Sequence, residues 1–203
     1  MMFGTQRRAE GARTAPTGPL PPLRKPDLDI NGLEPLLARG DLVFLELHGD
    51  ALERVTALGR TTTDVARARA VMNDPEEFGR SLMHGSRAEI VERNDDHVVF
   101  RWGIPMPIIA VEGSMRLYPR DEGPVRVEGV SGSLQSGEWV FDTHALPHGE
   151  AVTYGWSRFD PAESARFIRR LIADDADFSH GLVMATQVMV VRSLRSRATR
   201  YVP

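Results

Sequence analysis

The strongest constraint on the fold is a change of hydrophobic period along the chain. Between residues 87 and 159, apolar and polar residues alternate, and turn sequences at 94–96 and 121–124 divide this stretch into runs of strand length. Over residues 160–200 apolar residues recur at every third or fourth position, which is the period of an amphipathic helix. Strands joined by tight turns pair antiparallel. The pattern therefore predicts about six antiparallel strands followed by one long helix.

A hairpin and two short helices are predicted ahead of these strands. The apolar run 42–47 and the run 51–61 flank a turn, which is typical of a β-hairpin. Thr63 or Asp64 can cap the first short helix, because their side-chain oxygens can accept a hydrogen bond from its first turn. The Asp-Pro step at 74–75 then starts the second, with the aspartate as N-cap and the proline in the first turn.

The C-terminal helix is predicted to start after Asp160, an N-cap residue that precedes Pro161. Three aspartates interrupt its apolar stripe at Asp174, Asp175 and Asp177. We expect the helix to kink or restart there, because this acidic cluster breaks the apolar face.

The order of these elements predicts an α+β fold. A curved antiparallel sheet has an apolar face to bury, and one long amphipathic helix can lie across that face. The two short helices can close one end of the layer between sheet and helix. Such an arrangement leaves space between the two layers.

Composition excludes several kinds of chemistry. The 203-residue chain contains no cysteine, which excludes thiolate nucleophiles, disulfides and cysteine-based metal sites. Lysine occurs once, at Lys25 in a proline-rich stretch, so a Schiff-base or phosphate-loop lysine is not expected. The net charge of −3 gives no basic field for nucleic acid. No apolar run is long enough to span a bilayer and no secretory leader is recognisable, so we expect a cytoplasmic protein.

The charge is unevenly distributed along the chain. Residues 1–25 carry a net charge of +4, which leaves −7 for the remainder. Residues 1–27 are also rich in proline and glycine and poor in apolar residues, so we expect a disordered basic arm. A single domain is then predicted over residues 28–203. Peripheral contact of the arm with a membrane is left open, and the pattern sets no oligomeric state.

Several segments occur in the order found in one known superfamily. They are Val71–Phe78 (VMNDPEEF), Ala88–Glu92 (AEIVE), Val98–Trp102 (VVFRW), Gly132–Phe141 (GSLQSGEWVF) and Ala151–Tyr154 (AVTY).

In these segments the chain resembles the START-like superfamily, also known as SRPBCC, in its branch of polyketide cyclase/dehydrase and coenzyme Q-binding proteins. The resemblance covers about residues 50–198. It implies the helix-grip fold (Bet v 1/START-like), in which a curved antiparallel sheet of about six to eight strands wraps around a long C-terminal helix. It also implies a fold that holds hydrophobic ligands, although the superfamily contains both enzymes and pure binders.

The candidates for ligand contact are large aromatic or flexible apolar side chains. We place them on the concave face of the sheet and on the long helix, where they would line a cavity for a lipid, quinone or polyketide. Simple packing as a hydrophobic core is the alternative. The candidates are Phe100, Trp102, Met115, Trp139, Phe141, Tyr154, Trp156, Met184 and Val188.

Two further functions stay open at this level. An aromatase/cyclase acting on a polyketide-type substrate would need an acid–base pair, for which Tyr154 and Arg158 are the candidates if both face the cavity. A protein-interaction module would use the basic arm 1–25 and the arginine-rich segment 192–200.

No metal or cofactor is predicted. His144 and His148 have the spacing of a helical metal site, but Pro147 places them in a turn. The cluster 174–180, which includes His180, lacks the glycine and terminal glutamate of a calcium loop. The glycine-rich segment 129–137 matches neither a nucleophile elbow nor a phosphate-binding loop.

Overall fold

The strands form one antiparallel sheet. The computed structural model describes residues 23–48, 51–82, 85–105, 110–147, 149–175 and 177–201. Within these ranges eight strands pair in the order β1-β2-β8-β7-β6-β5-β4-β3. The strands are β1 (Leu42–His48), β2 (Ala51–Thr61), β3 (Arg87–Arg93), β4 (Val98–Pro105), β5 (Ala110–Tyr118), β6 (Val125–Gly132), β7 (Glu138–Ala145) and β8 (Ala151–Arg158).

The predicted meander is confirmed, because β3 to β8 are consecutive in the chain and adjacent in the sheet. The hairpin of β1 and β2 joins this meander through β8, with Val55 paired to Ser157 and Thr61 to Ala151. The first hairpin therefore extends the sheet beside the last strand.

The helices also follow the predicted order. The C-terminal region is split, since α4 ends at Asp174 and α5 begins at Asp177, as the aspartate cluster predicts. The described helices are α1 (Glu34–Leu37), α2 (Val65–Asn73), α3 (Pro75–Ser81), α4 (Arg166–Asp174) and α5 (Asp177–Arg200). None of them is both long and apolar enough to cross a membrane.

Aspartate side chains begin the two short helices. Asp64 Oδ1 accepts a hydrogen bond from the backbone N–H of Arg67 at 2.8 Å. Asp74 Oδ1 accepts from the N–H groups of Glu76 and Glu77, at 2.9 and 3.1 Å. Both N-cap predictions are confirmed, and the two caps orient α2 and α3 at one end of the sheet.

The predicted start of the long helix is wrong by several residues. Asp160 does accept a hydrogen bond from Ala162, at 2.8 Å, but it caps only a single 3-10 turn at Pro161–Glu163. Ala165 then has an extended backbone, with φ −162° and ψ 151°, and α4 starts at Arg166. This break turns the chain before it reaches α5.

One face of the sheet packs against α5, and we call it the helix-facing side. The buried α5 residues are Val183, Gln187, Val190, Val191, Leu194 and Ala198. The facing sheet residues include the following buried side chains: Val55, Ala57, Phe100, Trp102, Met115, Leu117, Val125, Val127, Trp139 and Phe141.

The opposite face, which we call the outer side, is buried as well. It holds a second core that comprises Ile30, Leu37, Leu58, Val140, Leu146, Val152, Tyr154 and Trp156. Leu23, Leu28 and Leu33 pack against it from the N-terminal segment. Both faces of the sheet are therefore buried, whereas the alternation of apolar and polar residues along its strands predicts that only one face is buried.

Residues 23–27, the described part of the predicted basic arm, lie against the outer core. Leu23 packs on the outer core, and the Arg24 carbonyl accepts a hydrogen bond from Arg54. Lys25 Nζ lies 3.5 Å from Asp142 Oδ2. Composition alone misses these contacts, because they depend on an apolar surface made by distant strands. The rest of the predicted arm, residues 1–22, lies outside the described residues.

Candidate functional site

A cavity of about 160 Å³ lies between the helix-facing side of the sheet, α4 and α5. It is below the usual ligand-pocket range of ~300–1,000 Å³ and similar to cavities of ~150 Å³ that hold benzene. Its walls are mostly apolar. The lining residues are Leu82, Trp102, Ile104, Val111, Met115, Leu134, Trp139, Phe159, Pro161, Ser164, Ala165, Phe167, Ile168, Leu182, Thr186, Met189 and Val190.

The position of the cavity follows from the size of the residues under α5. Beneath α5, β2 and β8 present small residues, which let the helix approach the sheet closely. At Gly155 an added Cβ would overlap the Phe141 ring and lie 2.9 Å from Gln187 Nε2. Gln187 is fully buried and accepts a hydrogen bond from Ser157 Oγ at 2.7 Å. Gln187, Val191 and Leu194 lie on β2 and β8 in this region. We call it the packed end.

Over β4, β5 and β7, beside the same helix, bulkier residues separate the layers. Trp102 on β4 and Trp139 on β7 line the cavity there, opposite Leu182 and Met189 of α5. Trp139 also stacks on Phe159, with ring centroids 5.5 Å apart. We call this region the cavity end.

Helix α4 forms a thin wall of the cavity. Phe167 and Ile168 line it, yet no residue of α4 is buried, and Phe167 and Leu171 are 44% and 41% exposed. Because α4 buries so little apolar surface, displacing it costs less than displacing α5. A ligand larger than the cavity would therefore enter most readily beneath α4.

The turn between β6 and β7 provides another part of the wall. Leu134 has φ +66°, a left-handed conformation that is uncommon for a residue other than glycine. Its side chain lines the cavity, while the neighbouring Ser133 hydroxyl donates to the Ser164 carbonyl at 3.0 Å. This bond ties the turn to the segment that precedes α4.

Few polar groups face the cavity. Ser164 Oγ donates to the carbonyl of Pro161, and Thr186 contributes a second hydroxyl from α5. The indole Nε1 of Trp102 is buried and has no hydrogen-bond partner among the described residues. None of the described lining residues ionises. The site can therefore hold a neutral apolar molecule, but the described lining supplies no charged acid or base.

The structure brings part of the predicted ligand-contact set together. Trp102, Met115 and Trp139 line the cavity. Phe100 and Phe141 face the same side of the sheet, but both are fully buried and pack edge-on against Phe78, with centroids 6.1 and 5.3 Å away. They support the cavity from the core without forming its wall.

Two predicted contacts on α5 lie beside the cavity rather than in it. Met184 and Val188 are partly buried and pack against the helix-facing core. Val188 also lines a separate surface groove with Arg192 and Arg197. The cavity is instead lined by their neighbours Leu182, Thr186 and Met189, which occupy another stripe of the helix.

Tyr154 and Trp156 are on the wrong side of the sheet for the predicted role. Both belong to the outer core, where their rings stack with centroids 5.7 Å apart. The helix-facing positions of β8 are Thr153, Gly155 and Ser157, whose small size fits the close approach of α5. The prediction placed the bulky residues inward because it assumed that only the helix-facing side is covered.

The proposed acid–base pair of Tyr154 and Arg158 is therefore not at the cavity. Burial raises the pKa of Tyr154, and its hydroxyl donates a hydrogen bond to Asp142 Oδ2 at 2.8 Å, which raises the pKa further. Arg158 Nη2 lies 3.7 Å from Glu138 Oε2, its cross-strand neighbour. Both groups point to the outer side.

Tyr154 instead belongs to a cluster that anchors the N-terminal segment. Asp142 is 7% exposed and lies near two cations, Lys25 Nζ at 3.5 Å and Arg69 Nη2 at 3.4 Å. The Lys25 ammonium also lies 5.7 Å from the centre of the Tyr154 ring. Charge and cation–π contacts of this kind hold residues 23–27 against the sheet.

Sequence reasoning missed the contribution of α4 and the stripe on α5. Leu182, Thr186 and Met189 recur at helical spacing, and α4 has arginines on one side and apolar residues on the other. Both signals are visible in the sequence. The side of α5 that faces the cavity, however, is set by the distance between the helix and each strand. That distance cannot be read from the sequence of the helix.

Within the described ranges no group of three histidine, aspartate or glutamate side chains could hold a metal ion. His144 Nε2 lies 3.0 Å from Asn31 Oδ1, and His180 lies 3.9 Å from Asp177. His148 is outside the described residues.

Comparisons with known proteins concern structure alone. No protein-family model and no curated protein matches the sequence. The structure is similar to TTHA0849 from Thermus thermophilus, with a TM-score of 0.58 and 13% identity over 72% of this chain and 97% of that one. A STAR-related lipid transfer protein from Xanthomonas axonopodis gives a TM-score of 0.54 and 15% identity, covering 79% and 94% of the two chains.

A third similar structure is the di-domain ARO/CYC protein StfQ from the steffimycin biosynthetic pathway. Its TM-score is 0.54 at 10% identity, over 83% of this chain and 54% of StfQ. At such identities the similarity shows the fold and not the function. The eight-stranded sheet, the two short helices after its first hairpin and the long C-terminal helix agree with these structures. The chain therefore has the helix-grip fold of START-like proteins.

Proposed function

We propose that this protein binds a hydrophobic small molecule in the cavity between its sheet and helices α4 and α5. The observation that carries the proposal is the apolar lining of this cavity at the interface of the two layers. Burial of apolar ligand surface against such walls contributes ~25 cal/mol per Å². The name of the similar Xanthomonas axonopodis structure, a lipid transfer protein, supports the same class of ligand.

Binding is favoured over acid–base catalysis by the chemistry of the walls. A cyclase would need a group that donates or accepts a proton at the substrate. Tyr154 and Arg158 lie on the outer side, and the described lining contains hydroxyls and indoles but no carboxylate, imidazole or guanidinium.

The interaction-module hypothesis gains little from the C-terminal arginines. Arg195 Nη2 pairs with Asp41 Oδ1 at 2.8 Å, and Arg192 pairs with the same carboxylate. Arg197 Nη1 pairs with Glu77 Oε2 at 2.8 Å. These three arginines hold α5 to the rest of the fold and are already engaged within it.

A calorimetric titration with tetralin, an uncharged two-ring hydrocarbon, tests the proposal directly. We expect wild-type protein to bind tetralin and Thr186→Phe to lose most of this binding, because the larger ring fills the cavity from α5. The matched control is Thr199→Phe, since Thr199 is exposed on the same helix away from the cavity.

The control should bind tetralin as wild type does. Equal tetralin binding by wild type and Thr186→Phe would show that the cavity is not the binding site. Mass spectrometry of an organic extract from purified wild type would then identify any molecule that co-purifies, and its loss from Thr186→Phe would support the assignment.

A further inference from the structure

The two edges of the sheet differ in how they are protected against pairing with another strand. β3 forms one edge, and four of its seven residues are charged, namely Arg87, Glu89, Glu92 and Arg93. Charged side chains on an edge strand discourage a further strand from pairing there. β1 forms the other edge and contains one acidic residue, Glu46, and no arginine or lysine. Glu46 Oε1 accepts a hydrogen bond from Arg54 of β2 at 2.8 Å, so even this charge is compensated within the hairpin.

The outward backbone edge of β1 is unpaired. Among the described residues, β1 pairs with β2 alone, and no backbone hydrogen bond from another element reaches it. The one shift in register of this pair skips Glu53 of β2, so β1 itself stays continuous from Leu42 to His48. β1 therefore presents a row of free N–H and C=O groups over about 23 Å, which is the template that a further strand needs.

Apolar side chains also remain exposed along β1. Val43 and Leu47 are 40% and 45% exposed. Because side chains alternate along a strand, both lie on the same face as Leu45, which packs against the helix-facing core. A strand paired with the outward edge of β1 would cover both side chains and continue this core beyond the edge of the sheet.

A second copy of β1 is complementary to this edge. Antiparallel pairing about Leu45, the middle residue of β1, overlaps all seven residues of both strands. Val43 then lies opposite Leu47 of the partner subunit, and Glu46 lies opposite Phe44 of the partner subunit. No like charges are directly opposed in this register. Pairing about Glu46 would instead bring the two carboxylates together, and it would overlap only part of each strand.

We propose that this protein forms a two-fold symmetric dimer through antiparallel pairing of β1 with β1 of a second copy. The two eight-stranded sheets would then join into one sheet of sixteen strands, with the helix-facing side of both copies on the same face. This inference is independent of the proposed function, because β1 contributes no residue to the described lining of the cavity.

Sedimentation equilibrium over a range of protein concentrations tests the dimer. The mass of wild type should approach twice the 22.6 kDa of one chain. Val43→Lys/Leu47→Lys places lysines opposite each other at both ends of the paired strands, and we expect it to raise the dissociation constant of the dimer roughly tenfold or more. The matched control is Val91→Lys on β3, since Val91 is 54% exposed at the other edge of the sheet. It should associate as wild type does.

A charge swap tests the register of the paired strands. In Val43→Lys/Leu47→Glu each new lysine lies opposite a glutamate of the other copy, so this variant should recover most of the association that Val43→Lys/Leu47→Lys loses. The two variants differ only at position 47, which also controls for folding. A wild type that stays monomeric, a dimer that survives Val43→Lys/Leu47→Lys, or a charge-swap variant that associates no better would each overturn the inference.

The absence of cysteine from the chain allows a second measurement. Val43→Cys/Leu47→Cys should form disulfide-linked dimers under mild oxidation, because positions 43 and 47 of the two copies are directly opposed. Within one chain these positions are about 13 Å apart along the strand, too far for a disulfide. Val43→Cys alone is the control and should cross-link much more slowly, since its thiol faces Leu47 of the partner subunit. Equal rates of cross-linking would overturn the inference.

Discussion

The two ends of the layer between α5 and the sheet differ in how closely the helix approaches. At the packed end, Gly155 and Ser157 on β8 allow Gln187 and its neighbours to contact the strands directly. At the cavity end, Trp102 and other bulky residues separate the layers and leave about 160 Å³ between them. The same helix therefore packs tightly against the sheet where the strand residues beneath it are small, and it forms the wall of a cavity where those residues are bulky.

The largest expected effect comes from matched leucine substitutions on α5. Leu194 is 1% exposed at the packed end, so Leu194→Ala should lower the free energy of unfolding by ~2–5 kcal/mol. Leu182 is partly buried beside the cavity, where it already lacks some packing partners. Leu182→Ala should therefore cost roughly half as much or less. Urea denaturation of both variants measures the contrast, and equal losses would contradict it.

A smaller effect is expected from adding one methyl group to a strand. Gly155→Ala places a Cβ against Phe141 and Gln187, so overpacking should cost ~1–3 kcal/mol. Gly103 on β4 is the matched control, since its added Cβ would meet only Glu112 Cβ, at 3.6 Å. We expect Gly103→Ala to change the thermal midpoint little. A stable Gly155→Ala protein would show that α5 is not held close at that point.

The smallest effect is a pH dependence of the contact between α3 and the C-terminal part of α5. Partial burial alone would raise the pKa of Glu77, but hydrogen bonds from Arg80 and Arg197 lower it below its ordinary value of 4.5. The pKa of Glu77 is lower in the folded protein than in the unfolded chain, so its contact with the two arginines stabilises the fold fully above pH 4.5. This stabilisation is lost as the pH falls through the pKa of Glu77 in the folded protein.

Urea midpoints of wild type and Glu77→Gln, measured from pH 6 to pH 3, test this contribution. The gap between the two curves should narrow as the pH falls. Parallel curves would mean that the carboxylate of Glu77 does not stabilise the contact between α3 and α5.

The order of the elements was predictable from the sequence because it depends on local pattern. The change of period, the aspartate caps and the aspartate cluster at 174–177 are all encoded within a few residues of where they act. The helix-grip arrangement then follows from covering an antiparallel sheet with one long helix.

The faces of β8 were not predictable in the same way. All of its residues except Arg158 are buried, because the outer side is covered by the N-terminal segment. Alternation indicates the inner face only when the other face meets solvent. Tyr154 and Trp156 were therefore assigned to the wrong side, and the cavity wall contributed by α4 was missed because it depends on distances between separate elements.

The pairing of β2 with β8 also has a consequence for how the chain folds. Val55 and Ser157 are partners in this ladder although about a hundred residues separate them in the chain. Contacts of such long sequence separation slow folding, since the intervening loop must be closed before they stabilise it. During synthesis the first hairpin acquires its sheet neighbour only after β8 has emerged, and its helical cover only after α5. Folding of this domain is therefore expected to reach completion only once α5 is available to cover the sheet.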